Sequence, residues 1–197
     1  MTRNVAILVF ETVEVLDFAG PLEVFSSANK MAQGEAPFNV YTVAENAGAI
    51  RAANPLTLTP DYTIDTCPPP DILIIPGGTG SRQAAKSERL IAWVKAQDQR
   101  TELTLSVCTG TRVLAAAGLL DGLSATTHYG SLDELAEASP TTTVLRNIRY
   151  VDNGRIITSA GVSAGIDMSF HVIERLLGED AARETAHYIE YDYWKPG

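Results

Sequence analysis

The sequence predicts an α/β fold in which helices cover both faces of a mostly parallel central sheet. Short, almost continuously apolar runs such as NVAILVF at 4–10 alternate with longer segments of helical periodicity. Strands buried on both faces of a parallel sheet have this apolar pattern, and alternating strands and helices are typical of such sheets. The composition agrees, because 197 residues with 45% apolar and 20% charged side chains suit a globular chain with a sizeable core.

In the first half of the chain we predict three buried strands, two helices and a small side hairpin. The strands are 4–10, 38–44 and 71–78, the helices are 21–31 and 88–99, and the side hairpin lies within 48–66. Pro21 is expected in the first turn of its helix, where the missing N–H costs nothing. The hairpin is predicted from a weak alternation of apolar and polar residues.

In the second half we predict a fourth buried strand, a short strand, a hairpin and four helices. The strands are 103–107 and 125–128, and the helices are 109–120, 130–138, 163–177 and 180–191. The hairpin turns at Asn153-Gly154, because Asn-Gly supplies the positive φ of a tight turn. We find no repeat and no convincing linker, so residues 1–197 are expected to form one domain.

Charge and motif content exclude several classes of function. The formal net charge of -9 and the absence of a basic cluster argue against nucleic-acid binding. No secretory signal is visible, and the apolar stretch 161–177 carries charged residues, so we expect no membrane association. The two cysteines form no CxxC motif, which favours a reduced, cytoplasmic setting. Without GxGxxG, P-loop or HExxH patterns, we expect no cofactor and no metal.

Cys108 is the most informative residue, because it lies where a strand gives way to a helix. The N–H groups at a helix start favour thiolate over thiol, so this position is expected to lower the thiol pKa. The sharp turn is similar to the nucleophile elbow of hydrolases, with cysteine in place of serine. The alternative is an inert buried cysteine that acts as a small apolar side chain.

Three other features are expected near the strand ends. Asp17 lies among apolar residues, where it is either a helix cap or salt-bridge partner, or a general acid/base whose pKa burial raises. Gly77 and Gly78 in IIPGGTG could aim backbone N–H groups at a developing anion, or form a plain turn. His128 could be a base for Cys108, or a histidine with a satisfied structural hydrogen bond.

Four segments, in order, resemble the ThiJ/PfpI superfamily over nearly the whole chain. They are VFETVEVLDFAGPLEVF, LIIPGGTG, SVCTGTRVLAAAGLLDGLSATTHY and TSAGVSAGIDMSFHVIERLLG. The pattern of Asp17, Cys108-Thr109-Gly110 and Thr126-Thr127-His128 looks most like the isocyanide hydratase branch. The ligand-binding halves of certain AraC-type regulators are similar to it as well.

The resemblance implies a flavodoxin-like, glutamine-amidotransferase-like fold, a homodimer, and a small electrophilic substrate. Cys108 would be the nucleophile and Asp17 the carboxylate that exchanges a proton with it. Backbone N–H groups around Gly77, Gly78 and Thr109 would form the anion pocket, and the Thr109 hydroxyl would contact the substrate. His128 fits a family position. The implied reaction converts an isocyanide to an N-substituted formamide through a thioimidate.

Three alternatives remain open at this stage. One is a ligand-sensing module, although regulators of that kind carry a helix-turn-helix domain after the sensor and none follows here, so a sensor would need a partner chain. Another is an amidase, peptidase or deglycase; peptidase-like relatives tend to place histidine after the cysteine, where this chain has Thr109. The third is a thiol sensor of oxidative stress. Tyr129 stands where the hydratases carry tryptophan, so the pocket wall is expected to differ.

Overall fold

The computed structural model describes residues 1–192, and its centre is a seven-stranded sheet. The strands are β1 (Arg3–Leu8), β2 (Phe38–Ala44), β5 (Tyr62–Thr63), β6 (Ile72–Ile75), β7 (Leu103–Ser106), β10 (Tyr150–Asp152) and β11 (Ile156–Ser159). Their spatial order is β10-β11-β7-β6-β1-β2-β5. Every neighbouring pair is parallel except β10 and β11, which form the antiparallel hairpin predicted at Asn153-Gly154.

Helices cover both faces of this sheet and complete the predicted three-layer sandwich. They are α1 (Val15–Met31), α2 (Ser81–Ala84), α3 (Glu88–Asp98), α4 (Thr111–Ala116), α5 (Leu132–Ala138), α6 (Ala164–Leu177) and α7 (Glu179–Tyr188). One layer packs α1, α6 and α7 against the sheet, and the other packs α3, α4 and α5.

Strand β1 shows why the apolar runs are continuous. Val5 and Ile7 belong to the core on the α1 side, whereas Ala6 and Leu8 belong to the core on the α3 side. All four side chains are fully buried. A central strand with helices on both faces needs apolar side chains at every position rather than at every second one.

Helix α1 begins at Val15, six residues before the predicted start, so Pro21 lies inside the helix. Pro21 has no N–H to donate to the carbonyl of Asp17, which an uninterrupted helix would require. Buried contacts of Phe18 and Phe25 with the core offset this loss. The consequence matters for the site, because Asp17 belongs to the first turn of α1 rather than to a loop before it.

Two other predicted segments differ from the structure. The helix predicted over 109–120 is a 3₁₀ turn at Cys108–Gly110 followed by the short α4, and Gly118 at φ +67° begins the exit from it. The strand predicted over 125–128 is only Ser124–Ala125 (β8), which pairs with Thr143–Val144 (β9) outside the main sheet. Strand β5 was not predicted, because two residues carry too little pattern.

The predicted side hairpin is confirmed as β3 (Ile50–Arg51) and β4 (Thr57–Leu58), which pair antiparallel. The carboxyl ends of β1, β6 and β7 meet at one edge of the sheet, as parallel neighbours must. The segments that follow these three strands carry Asp17, Gly77-Gly78 and Cys108. Within residues 1–192, no helix has the length and apolar character needed to cross a bilayer.

Candidate active site

Cys108 occupies a strained turn between β7 and α4. Its φ of +56° lies in the left-handed region, which a residue with a side chain rarely adopts. The backbone is held in place from both sides. The Cys108 N–H donates to the Ala160 carbonyl at 3.1 Å, and the Cys108 carbonyl accepts the hydroxyls of Thr127 at 2.7 Å and Thr111 at 3.2 Å. The predicted elbow geometry is therefore present.

The environment of the Cys108 sulfur corrects the predicted direction of its pKa. Burial and the negative charge of Asp17 raise the pKa of the thiol to about 12, although the N–H groups of Val162 and Thr109 lower it. Only 5% of Cys108 is exposed, so little solvent stabilises the anion. The start of a 3₁₀ turn and a six-residue helix is too weak to outweigh desolvation and a neighbouring carboxylate.

Asp17 is fully buried at the start of α1, and its carboxylate faces the elbow. Its Oδ2 accepts the Gly77 N–H at 2.9 Å, whereas Oδ1 has no hydrogen-bond partner of normal geometry among the described residues. Burial raises the pKa of Asp17 to about 7, against the lowering effects of the Gly77 N–H and the Cys108 thiol. Of the two alternatives for Asp17, the raised pKa agrees with the general acid/base, and its main cause is desolvation.

Asp17 and Cys108 act on each other, so they titrate as a pair rather than as independent groups. Below about pH 7 the pair holds two protons, and above it one proton is left to share. The charge that remains is buried, with peptide N–H groups directed at both the sulfur and the carboxylate. Such a pair can deliver a thiolate and an acid at the moment a substrate reacts.

Gly77 is required by close packing between the three parts of the site. A Cβ at this position would lie 2.5 Å from the Thr109 nitrogen, 2.6 Å from Thr109 Oγ1 and 2.8 Å from Asp17 Oδ2. The Gly77 N–H donates to Asp17, and the Gly78 N–H donates to Thr109 Oγ1 at 3.1 Å. Both amides thus have protein acceptors, and their predicted role in binding a substrate anion stays a prediction.

His128 lies near the elbow, but within the described residues it makes no hydrogen bond to the Cys108 sulfur. Its Nδ1 accepts the Gly130 N–H at 3.2 Å, and its ring contacts the exposed Tyr129 ring at a centroid distance of 4.4 Å and a tilt of 36°. The ring also covers Gly161, where a Cβ would lie 2.5 Å from His128 Cδ2. This arrangement favours the structural interpretation, and a catalytic role stays a prediction.

A cleft of about 400 Å³ adjoins the elbow on the His128 side. Its walls include Ala160 and Val162, whose backbone contacts Cys108, and the side chains of Tyr129, Leu132 and Ile148. Cys108 and Asp17 do not line this cleft, which borders the backbone that holds the elbow.

The sequence did not assign a role to several residues that shape the site. Val162, at φ +48°, directs its N–H to the sulfur, and Thr111 and Thr127 hold the elbow carbonyl. Ser81 Oγ contacts Thr109 Oγ1, and Arg112 donates to Ser81 Oγ. The segment SAGVSAG after β11 was a usable signal for Val162, because it follows a parallel strand at the same sheet edge.

Comparison with known proteins confirms the resemblance stated from the sequence. The sequence profile of the DJ-1/PfpI family matches residues 3–175. The isonitrile hydratase of Pseudomonas putida is 32% identical over 192 residues, which cover 97% of this chain and 79% of the hydratase. The HTH-type transcriptional regulator GbdR of Pseudomonas aeruginosa is 27% identical over 96% of this chain, which spans about half of the regulator's length.

Solved structures confirm the fold class. A ThiJ/PfpI family protein from Pseudomonas syringae superposes with a TM-score of 0.88 at 30% identity, covering 100% of this chain and 78% of that one. DJ-1beta of Drosophila melanogaster shares the fold with a TM-score of 0.84 at 21% identity, over 98% of this chain and 100% of that one.

Proposed function

Because the chain belongs to the DJ-1/PfpI family, we propose that it is a cysteine-dependent hydratase that converts isocyanides to N-substituted formamides. The observation that carries this proposal is the buried Asp17–Cys108 pair, with one carboxylate oxygen left without a partner of normal geometry. An isocyanide is small and neutral, and hydrating it requires a nucleophile at carbon together with a proton at the same atom.

The pair supplies both. Asp17 takes the thiol proton as Sγ of Cys108 forms a bond to the terminal carbon of the isocyanide. Asp17 then gives this proton to the same carbon, which leaves a neutral thioimidate on the enzyme. The strained elbow presents the sulfur, and the Val162 and Thr109 N–H groups support its transient negative charge.

Water completes the cycle. As the water oxygen bonds to the thioimidate carbon, Asp17 accepts a proton from that water. Asp17 then passes this proton to the thioimidate nitrogen. The carbon–sulfur bond then breaks as the hydroxyl proton returns to sulfur through Asp17. The products are an N-substituted formamide and the starting thiol, so atoms and protons balance.

A direct assay tests this function. Purified, reduced protein is incubated with alkyl and aryl isocyanides, and formamide is followed by ¹H NMR. We expect turnover with the parent protein and with Cys67→Ala, which leaves the site unchanged, and none with Cys108→Ala. Failure of the parent protein across a varied panel would overturn the hydratase proposal.

The similarity to GbdR over 96% of this chain favours one second candidate, a ligand-sensing domain. It predicts that isocyanides raise the melting temperature of the protein without formamide appearing. Homodimer formation and a cytoplasmic location are further proposals from the family resemblance, and light scattering after gel filtration measures the first.

A further inference from the structure

An ion pair lies behind the nucleophile elbow, on the side away from Asp17. Arg112 is on α4, one helical turn after Cys108, and only 14% of its side chain is exposed. Its Nε and Nη2 donate to the two carboxylate oxygens of Glu134 at 3.0 and 2.7 Å. This bidentate contact fixes the plane of the guanidinium group.

The orientation of Arg112 leaves Nη1 directed at Ser81. Nη1 donates to Ser81 Oγ at 2.9 Å, and Ser81 is fully buried at the start of α2. The guanidinium group only donates hydrogen bonds, so Ser81 Oγ is the acceptor in this contact. The single hydroxyl proton of Ser81 must therefore go to another acceptor. The two acceptors within reach are the Gly78 carbonyl at 2.8 Å and Thr109 Oγ1 at 3.1 Å.

Either choice holds the Thr109 hydroxyl between Ser81 and Gly78. If Ser81 donates to the Gly78 carbonyl, that oxygen already receives the Ser81 N–H at 3.1 Å and both its lone pairs are engaged. If Ser81 donates to Thr109 Oγ1, that oxygen accepts both Ser81 and the Gly78 N–H. In the first arrangement Ser81 Oγ keeps a second lone pair, 3.1 Å from Thr109 Oγ1, that can accept the Thr109 proton. In the second the Gly78 carbonyl accepts that proton at 3.2 Å.

We infer that Arg112 is a positioning residue which, through Ser81, holds Thr109 Oγ1 against the Gly78 N–H and so fixes the Gly77-Gly78 turn that binds Asp17. The inference rests on the proposed hydratase function. In the proposed reaction Asp17 exchanges a proton with Cys108, and the turn sets where the carboxylate of Asp17 lies. Arg112 itself touches neither.

The chain provides a matched control. Arg82 also binds Glu134, at 2.7 Å, but it is 62% exposed and its hydrogen bonds go to Glu134 rather than to Ser81. Replacing Arg112 leaves Glu134 paired with Arg82, so the substitution creates no unpaired buried charge. Arg112 Nη2 also donates to Ser131 Oγ at 3.0 Å. Arg82→Met therefore controls for the ion pair with Glu134, and Ser81→Ala isolates the contact with Ser81.

The test is a double-mutant cycle between Arg112→Met and Thr109→Val, with isocyanide hydration as the assay. We expect Arg112→Met and Ser81→Ala each to lower kcat by about tenfold with little change in KM, as loss of one oriented hydrogen bond predicts. In the Thr109→Val background, Arg112→Met should have almost no further effect, and Arg82→Met should match the parent protein. If the kcat losses of Arg112→Met and Thr109→Val multiply in the double variant, the inference is wrong. If Arg112→Met does not fold, Ser81→Ala takes its place in the cycle.

A second readout needs no substrate. The Gly78 N–H donates to Thr109 Oγ1, so its resonance in a ¹H–¹⁵N spectrum reports on that oxygen. Arg112→Met and Ser81→Ala should move it, whereas Arg82→Met should not. An unchanged Gly78 resonance in Arg112→Met and Ser81→Ala would show that Arg112 does not act on Thr109 through Ser81. If the parent protein hydrates no isocyanide, the proposed function fails, and this spectrum still decides whether Arg112 acts on Thr109.

Discussion

The carboxylate of Asp17 and the thiol of Cys108 are buried together, and the charge of each depends on the other. Negative charge on Asp17 raises the pKa of Cys108, and the hydrogen bond from the thiol lowers the pKa of Asp17. The two residues come from different strand ends, after β1 and after β7. Gly77 packs between Asp17 and Thr109, the residue after Cys108, because it has no side chain. This pair is the physical basis of the proposed chemistry.

The rate of hydration should rise as the pH increases through about 7. Below that value Asp17 is protonated and cannot take the thiol proton, and above it the pair carries one shared proton. We expect kcat/KM to increase about tenfold per pH unit between pH 5 and 6.5 and to level off by pH 8. A pH–rate profile measures this, and a flat profile from pH 5 to 9 would rule out Asp17 as the group that accepts the proton.

The substitution Asp17→Asn should stabilise the protein, and more so at high pH. The pKa of folded Asp17 is about 7 against an ordinary 3.8, so the folded state holds a proton that the unfolded state has lost between these values. Stability of the parent protein therefore falls as the pH rises through that window. We expect Asp17→Asn to gain on the order of 2–4 kcal/mol relative to the parent between pH 4 and pH 8.

Melting temperatures of the two proteins at several pH values check this stability prediction. The gap between them should widen as the pH rises. Parallel curves would show that burial does not penalise the Asp17 charge, and a variant that melts far below the parent would show that Asp17 is mainly structural.

The substitution Gly77→Ala should separate the parts of the site. The added methyl group would lie within 2.8 Å of Thr109 and Asp17, closer than real contacts allow, so backbone must shift. We expect a loss of about 1–3 kcal/mol in stability and a much larger proportional loss of hydration. Gly130→Ala is the matched control, because its added Cβ would make only an ordinary 3.4 Å contact with His128. Equal activity in the two variants would contradict the close-packing argument.

Much of the sheet could be predicted, because its central strands are buried on both faces. The runs 4–10, 38–44, 71–78 and 103–107 each contain a strand of the sheet, and Asn153-Gly154 marks its hairpin. Helix ends were less predictable. Pro21 indicated a helix start but lies inside α1, because tertiary contacts of Phe18 and Phe25 outweigh the lost hydrogen bond.

The site was predictable in position and only partly in electrostatics. Parallel topology brings Asp17, Gly77 and Cys108 to one edge of the sheet, and strand-end position alone indicates this. The raised pKa of Cys108 depends on how deeply the sulfur is buried and on how near the Asp17 carboxylate lies. Neither quantity can be read from residue spacing, so the helix start alone predicted the wrong direction.

The most direct test of the account is the pH dependence of Cys108 alkylation in the parent protein and in Asp17→Asn. Both are prepared with Cys67→Ser, because that half-buried thiol would also react. Iodoacetamide incorporation is followed by mass spectrometry. Removing the carboxylate should move the midpoint of Cys108 alkylation to lower pH by about 1–3 pH units, because a neighbouring anion no longer opposes the thiolate. If the midpoint is the same in both proteins, Asp17 and Cys108 do not act as a pair and the account is wrong.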